Sequence, residues 1–195
     1  CVKTQGEYIY TCNRGKDTIE VFTYKNNRLQ LIQECQCPYG YAPRHMEILG
    51  EYAFVLYENY PAVSLFQLKQ GKLYALDISI TMPKTYYDVY PLPHFDKPHA
   101  DKEEINTCGM ADKRRAMPSD IHVFKEYVYV SNRCFSSFGT ISLLKMEKEK
   151  LAYTASYTLP GKDPRGFAVS KDGNYLFVAL CDTGKIYVYA PDPLT

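Results

Sequence analysis

One unit is written four times along this chain, and the repeat limits the fold more than any other feature. The last copy runs Pro164-Arg165-Gly166-Phe167-Ala168-Val169, then Tyr175-Leu176-Phe177-Val178-Ala179-Leu180, then Ile186-Tyr187-Val188-Tyr189. The third opens at Pro118 and continues through Ile121-His122-Val123-Phe124, Tyr127 to Asn132 and Thr140 to Leu144. The second opens at Pro43-Arg44-His45-Met46 and continues through Tyr52 to Tyr57 and Ala62 to Phe66. The first has no legible opening strand and is read as starting at Tyr8. Ile19 to Val63 spans 44 residues and Ile141 to Ile186 spans 45. Val63 to Ile141 is one such period plus an insertion. Short strands at this period, with no helical stretch between them, are the signature of propeller blades. A lone sheet of this kind buries neither face well, so neighbouring copies must stack to make a core.

The fold class expected is therefore all-β: a β-propeller of four-stranded antiparallel blades, about four of them present. The blades are placed at approximately 1–37, 38–80, 118–158 and 159–195, with an inserted loop at 81–117. Met46 to Ile48, Ile121 to Val123 and Phe167 to Val169 are expected innermost. The insertion carries Pro83, Pro91, Pro93 and Pro98, which interrupt regular ladders. His94, Asp96, His99 and Asp101 in it match no metal-ligand spacing, and Lys113-Arg114-Arg115 reads as surface.

Composition narrows the partners. Lys plus Arg is 23 and Asp plus Glu is 22, so charge gives no reason to expect a nucleic-acid or membrane partner. No apolar run approaches the length of a membrane-spanning helix. The 195 residues contain 19 Tyr and 9 Phe, which strands accept readily. Seven cysteines, Cys1, Cys12, Cys35, Cys37, Cys108, Cys134 and Cys181, fit no zinc or redox spacing and are read as reduced thiols in or beside packed sheet.

Several short motifs, in order, resemble one family. They are Pro43-Arg44-His45-Met46, Val55-Leu56-Tyr57-Glu58, Ser119-Asp120-Ile121-His122, Ser131-Asn132-Arg133 and Pro164-Arg165-Gly166-Phe167. Together they resemble the lactonase family of seven-bladed propellers, which includes propeller-type 6-phosphogluconolactonases and carboxy-cis,cis-muconate lactonising enzymes. The chain is similar to roughly the C-terminal four blades. The resemblance implies a hydrolase opening an acidic sugar lactone, foremost 6-phospho-D-glucono-1,5-lactone, in the pentose phosphate pathway of the cytoplasm. Carboxy-cis,cis-muconate cycloisomerisation is the alternative chemistry, and a non-catalytic propeller scaffold the alternative class. It also implies a pocket histidine from an N-terminal half that these residues do not include, supplied by a further segment or a second chain.

Candidate site residues follow from position. Arg44 and Arg165 immediately precede inner strands, and their guanidinium forks suit a carboxylate or phosphate. Glu58 is the one carboxylate at the end of the second-blade strand, where the other copies carry Asn13-Arg14, Asn132-Arg133 and Cys181-Asp182. In the cycloisomerase relatives the glutamate beginning this loop belongs to the pocket. Glu58 or His45 is the expected general base. Arg44, Arg165, His122 and Arg133 are expected to bind substrate. His45 and Arg44 are adjacent, so strict alternation would set them on opposite faces. The substrate expected is a small anionic lactone, with no cofactor and no metal.

Overall fold

The protein is described by a computed structural model covering residues 1–82, 117–134 and 137–190. The readings placed on His94, Asp96, His99, Asp101, Cys108, Lys113, Arg114, Arg115 and the prolines from Pro83 to Pro98 lie outside these residues.

Four antiparallel sheets follow one another along the chain, each a simple meander. The first holds β1 (Val2–Gln5), β2 (Tyr8–Asn13), β3 (Thr18–Lys25) and β4 (Arg28–Gln36). The second holds β5 (Pro43–Leu49), β6 (Tyr52–Tyr57), β7 (Ala62–Lys69) and β8 (Lys72–Ile80). The third holds β9 (Met117–Phe124), β10 (Tyr127–Arg133), β11 (Thr140–Glu147) and β12 (Lys150–Thr158). The fourth holds β13 (Pro164–Val169), β14 (Leu176–Leu180) and β15 (Lys185–Tyr189). Inner strands β1, β5, β9 and β13 lie beside one another, and β4, β8 and β12 do so at the outer rim. This is the radial blade arrangement the repeat predicts.

The first sheet corrects the expectation that the chain enters without an inner strand. β1 pairs with β2 from Val2↔Thr11 to Gln5↔Tyr8. It escapes sequence reading because its one apolar side chain, Val2, is exposed.

Period-two alternation builds the cores between blades. In β6, Ala53, Val55 and Tyr57 face the first sheet with Tyr10, Ile19 and Val21. Phe54 and Leu56, on the other face, meet Ile121, Val128 and Val130 of the third sheet. Tyr129 of β10 turns the opposite way, to Phe167, Leu176, Val178 and Leu180. Strands covered on both faces read as continuous apolar runs, which is why β6 and β10 stand out in the sequence.

The outer hairpins are closed by two-residue turns with positive φ at both positions: Asn26-Asn27, Gln70-Gly71 and Lys148-Glu149. Such turns match the twist of their strands. Gly71 has a second reason to be glycine, because a Cβ there would run into the Tyr8 ring. Cys1, Cys12, Cys35, Cys37 and Cys181 are free thiols. Burial pushes both Cys12 and Cys37 up to about 12, so neither is a nucleophile at neutral pH.

Candidate active site

A backbone irregularity repeated in three sheets builds the site. Pro43 pairs with Tyr57 and His45 with Leu56, so Arg44 is an extra, unpaired residue. The same β-bulge sets out Ser119 between Asn132↔Pro118 and Ser131↔Asp120. It sets out Arg165 between Pro164↔Leu180 and Gly166↔Ala179. Bulges re-aim side chains and break simple alternation. That corrects the expectation that Arg44 and His45 cannot point the same way. Both reach the start of β9: Arg44 Nε donates to Ser119 O at 2.8 Å, and His45 Nδ1 lies 3.0 Å from Asp120 Oδ1.

The registers also align one residue at the end of each second strand: Arg14, Glu58 and Cys181 just past β2, β6 and β14, and Arg133 as the last residue of β10. Glu58 is buried, with 6% of its surface exposed. Its Oε1 accepts from Arg44 Nη1 at 2.6 Å and from Arg133 Nη2 at 2.9 Å. Its Oε2 lies 2.6 Å from Arg14 Nη2, close enough for an ion pair but out of line for a hydrogen bond. Arg133 is anchored further by donating from Nε to Met117 O at 3.3 Å. One carboxylate thus gathers three guanidiniums, and positive charge remains in excess. Burial lowers the Arg44 pKa. Glu58 acts against that shift, while Arg133, Arg14 and Arg165 reinforce it. Guanidinium stays charged through such shifts.

The approach to the site is fixed by main chain. Asp17, at φ 54°, accepts from Gly40 N and Ala42 N, both at 2.8 Å. Glu58 N then donates to Ala42 O at 2.9 Å. The linker is therefore tied to two loops just before it delivers Arg44. Ser119 Oγ donates to Pro164 O and shares a 2.8 Å hydrogen bond with Ser131 Oγ, joining the third sheet to the fourth beside Arg165.

The expected site residues divide into three groups. Arg44, Glu58 and Arg133 come into direct contact. Arg165 stands outside that contact set: its half-exposed side chain donates from Nε to Asp163 Oδ2 at 3.1 Å. That hydrogen bond is the main cause of its raised pKa, and the charge of Glu58 adds a smaller push. His45 and His122 gather on Asp120, with His122 Nε2 at 3.8 Å from Oδ2. Sequence reasoning did not place Arg14 or Asp120 in the site. Arg14 was hidden in a hairpin turn, although its alignment with Glu58 and Arg133 was readable. Asp120 carried no signal beyond its place in the Ser119-Asp120-Ile121-His122 motif.

The lactonase, seven-bladed β-propeller family model matches residues 2–195. The chain belongs to that family. No curated protein matches it significantly. Among solved structures it is similar to a candidate 6-phosphogluconolactonase from Bacteroides uniformis, with TM-score 0.75 and 23% identity over 100% of this chain and 51% of the other. A second candidate 6-phosphogluconolactonase, from Bacteroides fragilis, gives TM-score 0.75 and 21% identity over 98% and 50%. The periplasmic gluconolactonase of Pseudomonas aeruginosa gives TM-score 0.76 and 20% identity over 99% and 50%. These likenesses establish the shared fold, and the chain spans about half the length of each structure.

Proposed function

We propose that the protein opens an acidic sugar lactone, with 6-phospho-D-glucono-1,5-lactone as the substrate and 6-phosphogluconate as the product. The observation that carries this reading is the guanidinium cluster on Glu58. A buried carboxylate shared by Arg14, Arg44 and Arg133 holds three cations beside one another and leaves donor N–H groups for a phosphate or carboxylate. Family membership supports lactone chemistry, and the names given to the Bacteroides and Pseudomonas structures favour a gluconolactone.

In this reading Arg44 and Arg133 hold the anionic group and stabilise the oxyanion that develops on the ring ester. Arg165 adds positive charge at the rim. Glu58 organises the arginines, since its oxygens already face guanidiniums, and the proton-handling role falls to a histidine. Lactones open readily, so positioning and electrostatics can supply much of the acceleration.

The test compares phosphorylated and unphosphorylated gluconolactone, each corrected for spontaneous opening. The phosphorylated substrate should be preferred, and Arg44→Ala should lower kcat/KM by on the order of 10². Equal rates on the two lactones, or full activity in Arg44→Ala, would remove the anion-clamp reading.

A further inference from the structure

A second polar group lies on the inner strands, one residue below the arginines, and its carboxylate belongs to no role assigned above. Asp120 of β9 and His45 of β5 occupy the same register position in neighbouring sheets, each just past its bulge. The Asp120 side chain is largely buried. Its Oδ1 is 3.0 Å from His45 Nδ1 and accepts from Ile121 N at 3.0 Å. Its Oδ2 accepts from Phe167 N at 3.3 Å. One carboxylate is therefore held by three inner strands, β5, β9 and β13. His122 stands edge-on to Phe167 at 4.8 Å between ring centres, and its Nε2, at 3.8 Å from Oδ2, is beyond a direct hydrogen bond.

We propose that Asp120 is a positioning residue that fixes His45 with its proton on Nδ1, leaving Nε2 as the base that activates water. A histidine whose one nitrogen is held by a carboxylate has its tautomer set by that contact. The pairing is the orienting half of the logic used by hydrolytic triads, with water in place of a serine. The His45 side chain is about two-fifths exposed, so water can reach it. Burial pushes the Asp120 carboxyl up. The His45 contact and charge, the Phe167 N–H and the charge of His122 outweigh burial and hold it below its ordinary value.

The catalytic part of this inference rests on the lactone reading; the tautomer part does not. Nε2 of His45 takes a proton from water as the water oxygen bonds to the lactone carbonyl carbon. The tetrahedral intermediate then expels the ring oxygen, and the imidazolium returns the proton to that alkoxide. The charged and titratable groups around His45 are Arg44 and Glu47 on its own strand, and Asp120 and His122 on β9. From β1, Lys3 is held at 2.7 Å by Glu47. β13 faces Asp120 here with the backbone N–H of Phe167.

Two measurements test the proposal. Nitrogen–proton long-range NMR correlations of His45 in the intact protein read its tautomer directly. The Nδ1–H form is expected, with loss of that preference in Asp120→Asn and recovery in Asp120→Glu. A wild-type His45 protonated on Nε2, or a preference unchanged in Asp120→Asn, overturns the assignment. Should Asp120→Asn fail to fold, the wild-type spectrum alone decides.

The second measurement is kinetic. In Asp120→Asn, kcat on the phosphorylated lactone should fall by on the order of 10² with KM nearly unchanged, and the acid limb of the kcat profile should move. Asp120→Glu should recover much of the rate. A fall in Asp120→Asn confined to KM, with the pH profile unmoved, overturns the catalytic role. A wild-type protein inert on lactones would defeat the functional reading, while the spectra would still decide what Asp120 does to His45.

Discussion

β6 and β14 hold the same place in the second and fourth sheets, but their surroundings differ. Every β6 residue from Ala53 to Tyr57 is buried, because the first sheet covers one face and the third covers the other. In β14 only alternate residues, Leu176, Val178 and Leu180, are buried, against the third sheet. Its other face remains apolar yet bare, with Phe177 at 40% exposure and Ile186 and Val188 of β15 at 70% and 57%. The difference shows that a blade of this kind is written for two neighbours, whichever of them the described residues include. An apolar face of this extent attracts a cover. We propose that further blades, on this polypeptide or on a second chain, pack against it. The half-length match to the solved structures supports that reading.

The comparison can be broken most directly by truncating one phenylalanine in each sheet. Phe54→Ala empties a site covered on both sides and should cost about 4 kcal/mol in urea unfolding. Phe177→Ala should cost less than about 1 kcal/mol, because much of its side chain already meets water. Comparable costs would mean that the outer face of the fourth sheet is covered in solution.

The ion pairs give the same contrast with a smaller expected effect. Glu58→Gln removes the carboxylate from a buried arginine cluster and should destabilise the protein by about 3 kcal/mol. Asp163→Asn breaks only the pair with the half-exposed Arg165 and should cost less than about 1 kcal/mol. Urea denaturation of both variants checks the order, and a costly Asp163→Asn would place Arg165 in the buried set.

Acid titration sharpens the comparison further. A carboxyl held down in the folded state stabilises it above the unfolded value of about 3.9, and that stability is lost as pH falls through the folded value. Asp120, largely buried between sheets, meets this condition. Asp120→Asn should therefore be less stable than the wild type at neutral pH, and the gap should narrow below about pH 4. Asp182, in the turn between β14 and β15, is held down by the Lys162 N–H, but it is exposed. Asp182→Asn should flatten the acid limb less than Asp120→Asn.

The smallest effect on stability belongs to the bare face itself. The double variant Ile186→Lys, Val188→Lys should leave unfolding free energy within about 0.5 kcal/mol. It should also reduce association of the isolated chain in sedimentation experiments. A wild-type chain that sediments as a stable, monodisperse 22.4 kDa monomer would argue against any covering blade.

These contrasts explain what was legible in the sequence. The period could be read because Ala53 to Tyr57 and Val128 to Val130 are apolar on both faces and bounded by turns. The innermost strands were placed by the prolines that open them. β1 was not legible, since three of its four residues are polar and Val2 faces solvent. Arg44, Glu58 and Arg133 were recognisable from their place in the repeat. Their mutual contact was not, because it depends on an unpaired residue, and Arg44 carries no local mark of being one. Arg14 and Asp120 were missed for a related reason: their importance lies in partners on other sheets, 44 residues away for Arg14 and 75 for Asp120.

The bulges at Arg44, Ser119 and Arg165 have a consequence for how such a protein can change over generations. Each occupant stands outside the hydrogen-bond ladder, so replacing it leaves strand register untouched. Three neighbouring blades thus carry one unpaired residue each at the start of the inner strand, filled here by arginine, serine and arginine. A lineage could change these side chains one blade at a time, without reopening the question of how the strands pair.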